Sequence, residues 1–278
     1  MRRRKRIKDS EHKNRGVYVI PNLVTSLNMF CGFFGIIMAL RGQFTHAAWA
    51  VIAAGVFDNL DGKIARATNT TSKFGVEYDS LSDLVSFGMA PALIMYMWAL
   101  QDFGRLGWLV AFLFLACGAL RLARFNTQVG VVSSDHFVGL PIPAGAGMAM
   151  VTILLCYNDD LKLLTTAHPA PPYSILILIM MFLLAFLMVS TISYESFKNK
   201  ELATKKKSLS TFTTALLVII LIVYKPDIML FIVGVTYVLS GPAVMVWKHV
   251  AAPKKAAVPP GAANNKGGET EKPADTPA

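Results

Sequence analysis

Charged residues are scarce in this chain. They make up 16% of its 278 residues, whereas an average soluble domain has about 25%. Residues with apolar side chains make up 54% of the sequence. A chain of this composition is expected to place much of its apolar surface in lipid, so we predict an integral membrane protein.

Cysteine and histidine are also few and dispersed. The three cysteines, Cys31, Cys117 and Cys156, lie far apart in or beside apolar segments, which argues against a disulfide framework and indicates packing roles. The five histidines are equally scattered, which gives little support to a zinc site. The basic N-terminus is followed by a full-length apolar span without a small-residue cleavage site, so we predict no cleavable signal peptide.

The chain carries an excess of positive charge, with 27 Lys and Arg against 17 Asp and Glu. These basic residues flank the apolar segments and are not interleaved with aromatic residues, which argues against nucleic-acid binding. They indicate membrane orientation instead. With a cytosolic N-terminus and eight spans, the positive-inside rule puts all the Lys and Arg residues on the cytosolic side except Arg41, Arg105, Lys162 and Lys225.

The predicted architecture is therefore an all-α membrane protein: a polytopic bundle of about eight transmembrane helices in the cell (inner) membrane, with both termini cytosolic. The predicted spans are residues 20–40, 45–66, 77–100, 106–126, 141–158, 173–195, 209–224 and 227–247. The domain division is a basic cytosolic arm (1–17), a transmembrane catalytic domain (18–248) and a disordered C-terminal tail (249–278) that is rich in Pro, Ala, Gly and charge.

Four acids break the apolar pattern between residues 58 and 83. Asp58 and Asp61 are three residues apart, and Asp79 and Asp83 are four apart, so each pair lies on one face of its helix. An Asp deep in a spanning helix costs roughly 2.5–3.5 kcal/mol, and clustered carboxylates repel each other. Bound divalent cations, which prefer carboxylate and phosphate oxygens, would offset that cost. We therefore predict a metal site near the cytosolic face, where a nucleotide and a lipid could both reach it.

Two further polar groups border this region. Asn22, Thr25 and Asn28 recur along one face of the first span, after Pro21 at its predicted start. This stripe suits either a cavity or interhelical hydrogen bonding. Arg121 and Arg124, followed by Asn126, end the fourth span; they suit either an anionic ligand or anchoring at the headgroups.

The acids belong to a longer pattern, D-x2-D-G-x2-A-R-x8-G-x3-D-x3-D, formed by Asp58, Asp61, Gly62, Ala65, Arg66, Gly75, Asp79 and Asp83. It resembles, without departure, the motif of the CDP-alcohol phosphotransferase family. Three other segments, PNLVTSLN, RLARFN and GLPIP, resemble the bacterial membrane-integral phosphatidylserine synthases. The resemblance extends over about residues 18–247.

The resemblance implies a helical bundle, often dimeric, with a two-metal site for Mg²⁺ or Mn²⁺. By position, it implies that Asp58, Asp61 and Asp79 are metal ligands and that Asp83 is the general base and a further metal ligand. The implied CDP-alcohol site consists of Asn22, Thr25, Gly62, Ala65, Arg66, Ser72 and Gly75. We further hypothesise a serine-binding site at Arg121, Arg124 and Asn126, in which either Arg121 or Arg124 pairs with the serine carboxylate.

The expected enzyme is a CDP-diacylglycerol–serine O-phosphatidyltransferase, which makes phosphatidylserine and CMP. Its expected partners are CDP-diacylglycerol, L-serine, the lipid bilayer and a second copy of the chain. Within the family, the acceptor alcohol could instead be glycerol 3-phosphate or inositol phosphate. A divalent-cation transporter is a remote alternative, since the acids all lie near one face of the membrane and no internal repeat is present.

Overall fold

The computed structural model describes residues 2–68, 72–128, 136–158, 168–195 and 224–251. These residues are almost entirely helical, as predicted. The helices are α1 (Arg2–Leu40), α2 (Phe44–Ala67), α3 (Lys73–Asp83), α4 (Ala90–Met95), α5 (Arg105–Gln128), α6 (Ile142–Cys156), α7 (Tyr173–Val189) and α8 (Pro226–Ala251).

α3 and α4 belong to one continuous helical segment, Lys73–Phe103. Two π-helical turns, Leu84–Met89 and Tyr96–Leu100, and a final 3₁₀ turn, Gln101–Phe103, lie within it. The first π turn begins directly after Asp83, and such turns are frequent at functional sites.

Four helical segments in the described part of the chain are long and apolar enough to cross a membrane: Ile20–Leu40, Lys73–Phe103, Arg105–Thr127 and Pro226–Trp247. α6 and α7 are apolar but shorter, and α2 carries the first acidic pair. Each predicted span has a helical counterpart except 209–224, of which the structure describes only Tyr224. The predicted span 173–195 is too long, because α7 ends at Val189 and residues Ser193–Glu195 form a strand. The count of eight spans and the cytosolic position of the termini stay predictions.

α1 differs from the prediction at its N-terminal end. Pro21 was expected to start the helix, but the helix begins at Arg2 and continues through Pro21. A proline removes one backbone donor from the helical ladder, while the Arg- and Lys-rich segment before it consists of good helix formers. The predicted start of the fifth span at residue 141 is confirmed to within one residue, because α6 begins at Ile142.

The helices pack around an apolar core that includes Trp98, Phe114 and Ile153. α1 packs along α2, and α5 packs against α7. A two-stranded antiparallel sheet, β1 (His136–Val138) with β2 (Ser193–Glu195), joins the chain before α6 to the chain after α7. This arrangement leaves polar residues of α1, α2 and α3 facing one another at one end of the bundle.

Candidate active site

Small and hydroxyl-bearing residues set the packing of α1 against the segment that contains Asp83. A Cβ atom on Gly32 would lie 2.6 Å from the Cα atom of Ser86, so a residue with a side chain would not fit there without a backbone shift. Ser82 Oγ donates to the Thr25 carbonyl at 3.0 Å, and Ser86 Oγ donates to the Asn28 carbonyl at 2.9 Å. These contacts hold the polar stripe of α1 directly against α3 and the first π turn.

The structure brings three of the four acids into one cluster. Asp58, Asp61 and Asp79 each offer a carboxylate oxygen, and these oxygens lie within 4.8 Å of one another. Asp61 is buried, and its Oδ2 accepts a hydrogen bond of 2.8 Å from Thr25 Oγ1. Among the described residues, the buried Oδ1 of Asp79 has no hydrogen-bond partner. Hard oxygen donors at this spacing, one of them unpaired, fit a divalent cation such as Mg²⁺ or Mn²⁺.

Asp83 lies beside this cluster rather than within it. Its carboxyl group is within hydrogen-bonding range of Asp58, and its Oδ1 accepts a hydrogen bond of 3.1 Å from Asn28 Nδ2. Two carboxyl groups this close repel each other unless a cation or a proton lies between them. Asp83 therefore lies next to the three carboxylates that would bind the cation.

A cavity of about 150 Å³ lies on one side of the acids. Its lining includes every residue assigned above to the CDP-alcohol site: Asn22, Thr25, Gly62, Ala65, Arg66, Ser72 and Gly75. Asp61 and Asp79 complete it on the acidic side.

Local helix structure explains why the chain is open at this cavity. Ser72 caps α3, because its Oγ accepts a hydrogen bond of 3.0 Å from the Gly75 amide. A Cβ atom on Gly75 would lie 3.2 Å from that oxygen. The Arg66 guanidinium lies over Gly62, where a Cβ atom would be 3.6 Å from it. The two glycines thus leave space between the N-terminal end of α3 and the Arg66 guanidinium. A positive side chain beside a helix N-terminus suits the binding of phosphate groups.

A larger cavity, of about 540 Å³, lies on the other side of the acids. Asp58, Asp79 and Asp83 form one part of its lining, and Arg121, Asn126 and Tyr237 form another. The buried Nε of Arg121 has no hydrogen-bond partner among the described residues, whereas Arg124 is not among the residues that line the cavity. Asn126 Nδ2 donates to Ser80 Oγ at 2.9 Å, which ties α5 to α3.

Two residues at this site were not assigned by sequence analysis. Asn28 was noticed as part of a polar stripe, but its contact with Asp83 was not predicted. Tyr237 lies on α8, far from the motif in sequence, and lines the larger cavity together with Arg121. A phenol in an otherwise apolar helix is a weak sequence signal, because such a side chain also suits a membrane interface.

Comparison with known proteins identifies relatives of this chain. The family model described as CDP-alcohol phosphatidyltransferase matches residues 18–170. A CDP-diacylglycerol–serine O-phosphatidyltransferase from Helicobacter pylori is 40% identical over 210 residues, which cover 76% of this chain and 84% of the relative. A protein of the same name from Methanocaldococcus jannaschii is 36% identical over 187 residues, or 67% of this chain and 78% of the relative. An archaetidylserine synthase from Methanothermobacter thermautotrophicus is 39% identical over 139 residues, or 49% of this chain and 58% of the relative.

Proposed function

The chain belongs to the CDP-alcohol phosphatidyltransferase family, and from this premise we propose that it transfers the phosphatidyl group of CDP-diacylglycerol to the hydroxyl of L-serine. The products are phosphatidylserine and CMP. The observation that carries the proposal is the position of the acids between two cavities. The CDP-alcohol residues line one cavity, and Arg121 lines the other.

Asp58, Asp61 and Asp79 would hold one or two divalent cations, with Asp83 as a further ligand to the second. When bound, such cations would neutralise the diphosphate and stabilise the negative charge that develops on departing CMP. Arg66, Ser72 and the amides at the start of α3 bind and orient the diphosphate. The residues of the smaller cavity thereby hold the CMP side of the donor lipid.

Asp83 acts as the general base. It accepts the proton of the serine hydroxyl, whose oxygen then attacks the phosphorus that carries diacylglycerol. The bond between that phosphorus and the oxygen of CMP breaks, and CMP leaves with the electron pair.

Arg121 binds the carboxylate of serine. Its guanidinium can form two parallel hydrogen bonds to a carboxylate, which an ammonium group cannot. Asn126, which lines the same cavity, provides a second polar contact. Between the two arginines of this helix, we assign the role to Arg121 because Arg124 does not line the cavity.

We further propose that the protein crosses the inner membrane eight times, with both termini and the acidic site on the cytosolic side. The concentration of Lys and Arg in the predicted cytosolic segments supports this orientation. A homodimer is proposed on the family resemblance.

The experiment that tests the function is an acceptor panel. The purified full-length protein is incubated with CDP-diacylglycerol and either L-serine, glycerol 3-phosphate or inositol phosphate, with Mg²⁺, with Mn²⁺ or with a chelator. We expect CMP and phosphatidylserine only with L-serine and a divalent cation. A different lipid product would show that the acceptor is another alcohol. Metal-dependent transport without CMP release would refute the proposed transferase activity.

A further inference from the structure

We propose that Asn28 is a positioning residue for the reaction: its side-chain amide holds the carboxylate of Asp83 in the orientation that receives the proton. This inference rests on the proposed function, in which Asp83 is the general base. The contact between Asn28 Nδ2 and Asp83 Oδ1, at 3.1 Å, is its first support.

The burial of Asn28 makes that contact specific. The side chain is fully buried, with 0% exposure, and a buried amide costs free energy unless its hydrogen bonds are satisfied. An ionised carboxylate can only accept hydrogen bonds, so the amide must present its NH₂ group to Asp83. Rotation of the Asp83 carboxylate is thereby restrained by a donor on another helix.

The backbone around Asn28 is itself held in place. The Asn28 carbonyl accepts the hydrogen bond from Ser86 Oγ, and Gly32, one turn later, lets α1 approach the backbone of Ser86. Ser86 lies in the π turn that begins directly after Asp83. Both ends of the contact are therefore fixed to the same rigid junction, as preorganisation of a reacting group requires.

A pure packing role does not account for an amide at this position. The buried Oδ1 of Asn28 has no hydrogen-bond partner in the described ranges, so an apolar residue would avoid that cost if only volume mattered. Thr25, three residues earlier on the same face, makes the equivalent contact by donating to Asp61. α1 thus supplies one hydrogen-bond donor to an acid of α2 and one to an acid of α3.

The test compares Asn28→Ala and Asn28→Leu in the full-length enzyme, with Thr152→Val as the matched control. Leu has nearly the shape of Asn but carries neither a donor nor a charge. Thr152→Val removes a buried hydrogen bond within α6, from Thr152 Oγ1 to the Met148 carbonyl at 2.8 Å, and Thr152 lines neither of the two cavities. CMP release gives kcat and KM for serine and for CDP-diacylglycerol. We expect both Asn28 variants to lose about 10–100-fold in kcat, with both KM values within about threefold. The control should stay within about threefold in all three constants.

Three results would overturn the inference: an Asn28→Leu enzyme with kcat within about threefold of the wild type, a loss confined to KM, or an equal loss in Thr152→Val. If Asn28→Leu is not recovered folded, Asn28→Thr and Asn28→Val decide, since these side chains match in shape and differ in one hydroxyl donor. Higher kcat in the Thr variant supports the inference, and equal kcat refutes it. Failure of the wild type to release CMP with serine would instead refute the proposed function.

Discussion

The two walls of the larger cavity differ in how the chain builds them. The acidic wall consists of Asp58, Asp79 and Asp83, which lie on two consecutive helices. The second wall consists of Arg121, Asn126 and Tyr237, which come from α5 and α8 and span more than a hundred residues of sequence. The acidic wall and Arg121 lie within the matched family model, and Tyr237 lies outside it.

We expect the two walls to have different functions in the reaction. A reaction centre that binds cations and a diphosphate needs several groups at short, fixed distances, and neighbouring helices supply them from one short motif. Recognition of a small acceptor needs a few convergent polar groups, which any helix of the bundle can supply. The acidic wall is therefore expected to control the rate of the chemical step, and the second wall is expected to control the affinity for the acceptor.

The largest effect is expected from the acidic wall. Asp83→Asn removes the proton acceptor with little change in shape, so kcat should fall by about 10²–10⁴-fold while both KM values change little. CMP release at saturating substrate measures it. Asp102→Asn is the matched control, because Asp102 is exposed in the last turn of the same helical segment. An Asp83→Asn enzyme that keeps more than about a tenth of the wild-type kcat would contradict the assignment.

An intermediate effect is expected from a substitution in the second wall. Arg121→Lys keeps the charge but loses the two-pronged hydrogen bonding, so KM for serine should rise by about tenfold with KM for CDP-diacylglycerol unchanged. Arg124→Lys, one turn further along α5, should leave KM for serine within about twofold. Steady-state kinetics with varied serine separates the two variants. The reverse result, a rise in Arg124→Lys alone, would move the acceptor site away from the larger cavity.

The smallest effect is expected in the smaller cavity, where a substitution should change KM for the donor lipid but not KM for serine. In Gly75→Ala the new methyl group would lie 3.2 Å from Ser72 Oγ, so the helix cap must shift. KM for CDP-diacylglycerol should rise by about threefold, with KM for serine unchanged, since loss of a cap contact has a modest cost. Gly147→Ala is the control, because nothing lies within 4 Å of a Cβ atom there. Equal effects of the two substitutions would mean that the change acts on helix stability rather than on the cavity.

Much of the fold follows from local properties of the chain. Apolar length predicted the helices of the described residues to within a few positions, for example α2 at Phe44–Ala67 against the predicted 45–66. The exceptions depend on packing and context. The start of α1 at Arg2 and the two π turns have no signal in hydropathy.

The candidate site was likewise predicted only in the features that depend on neighbouring residues. Spacing alone predicted that Asp58 and Asp61 share a helix face and that Asp79 and Asp83 share another, because the period of the α-helix is known. Spacing could not rank Arg121 above Arg124. Nor could it pair Asn28 with Asp83, since that contact depends on how far α1 is rotated about its axis against α3.

The sequence by itself determined the membrane character of this protein, the helical segments and the acidic motif, because hydropathy and helical periodicity act over a few neighbouring residues. The tertiary structure alone decided that the carboxylates of two helices meet within 4.8 Å, that Asn28 reaches Asp83, and that Tyr237 lines the same cavity as the acids. These outcomes depend on the rotation and close approach of helices distant in sequence. Side-chain packing sets both, here through small residues such as Gly32.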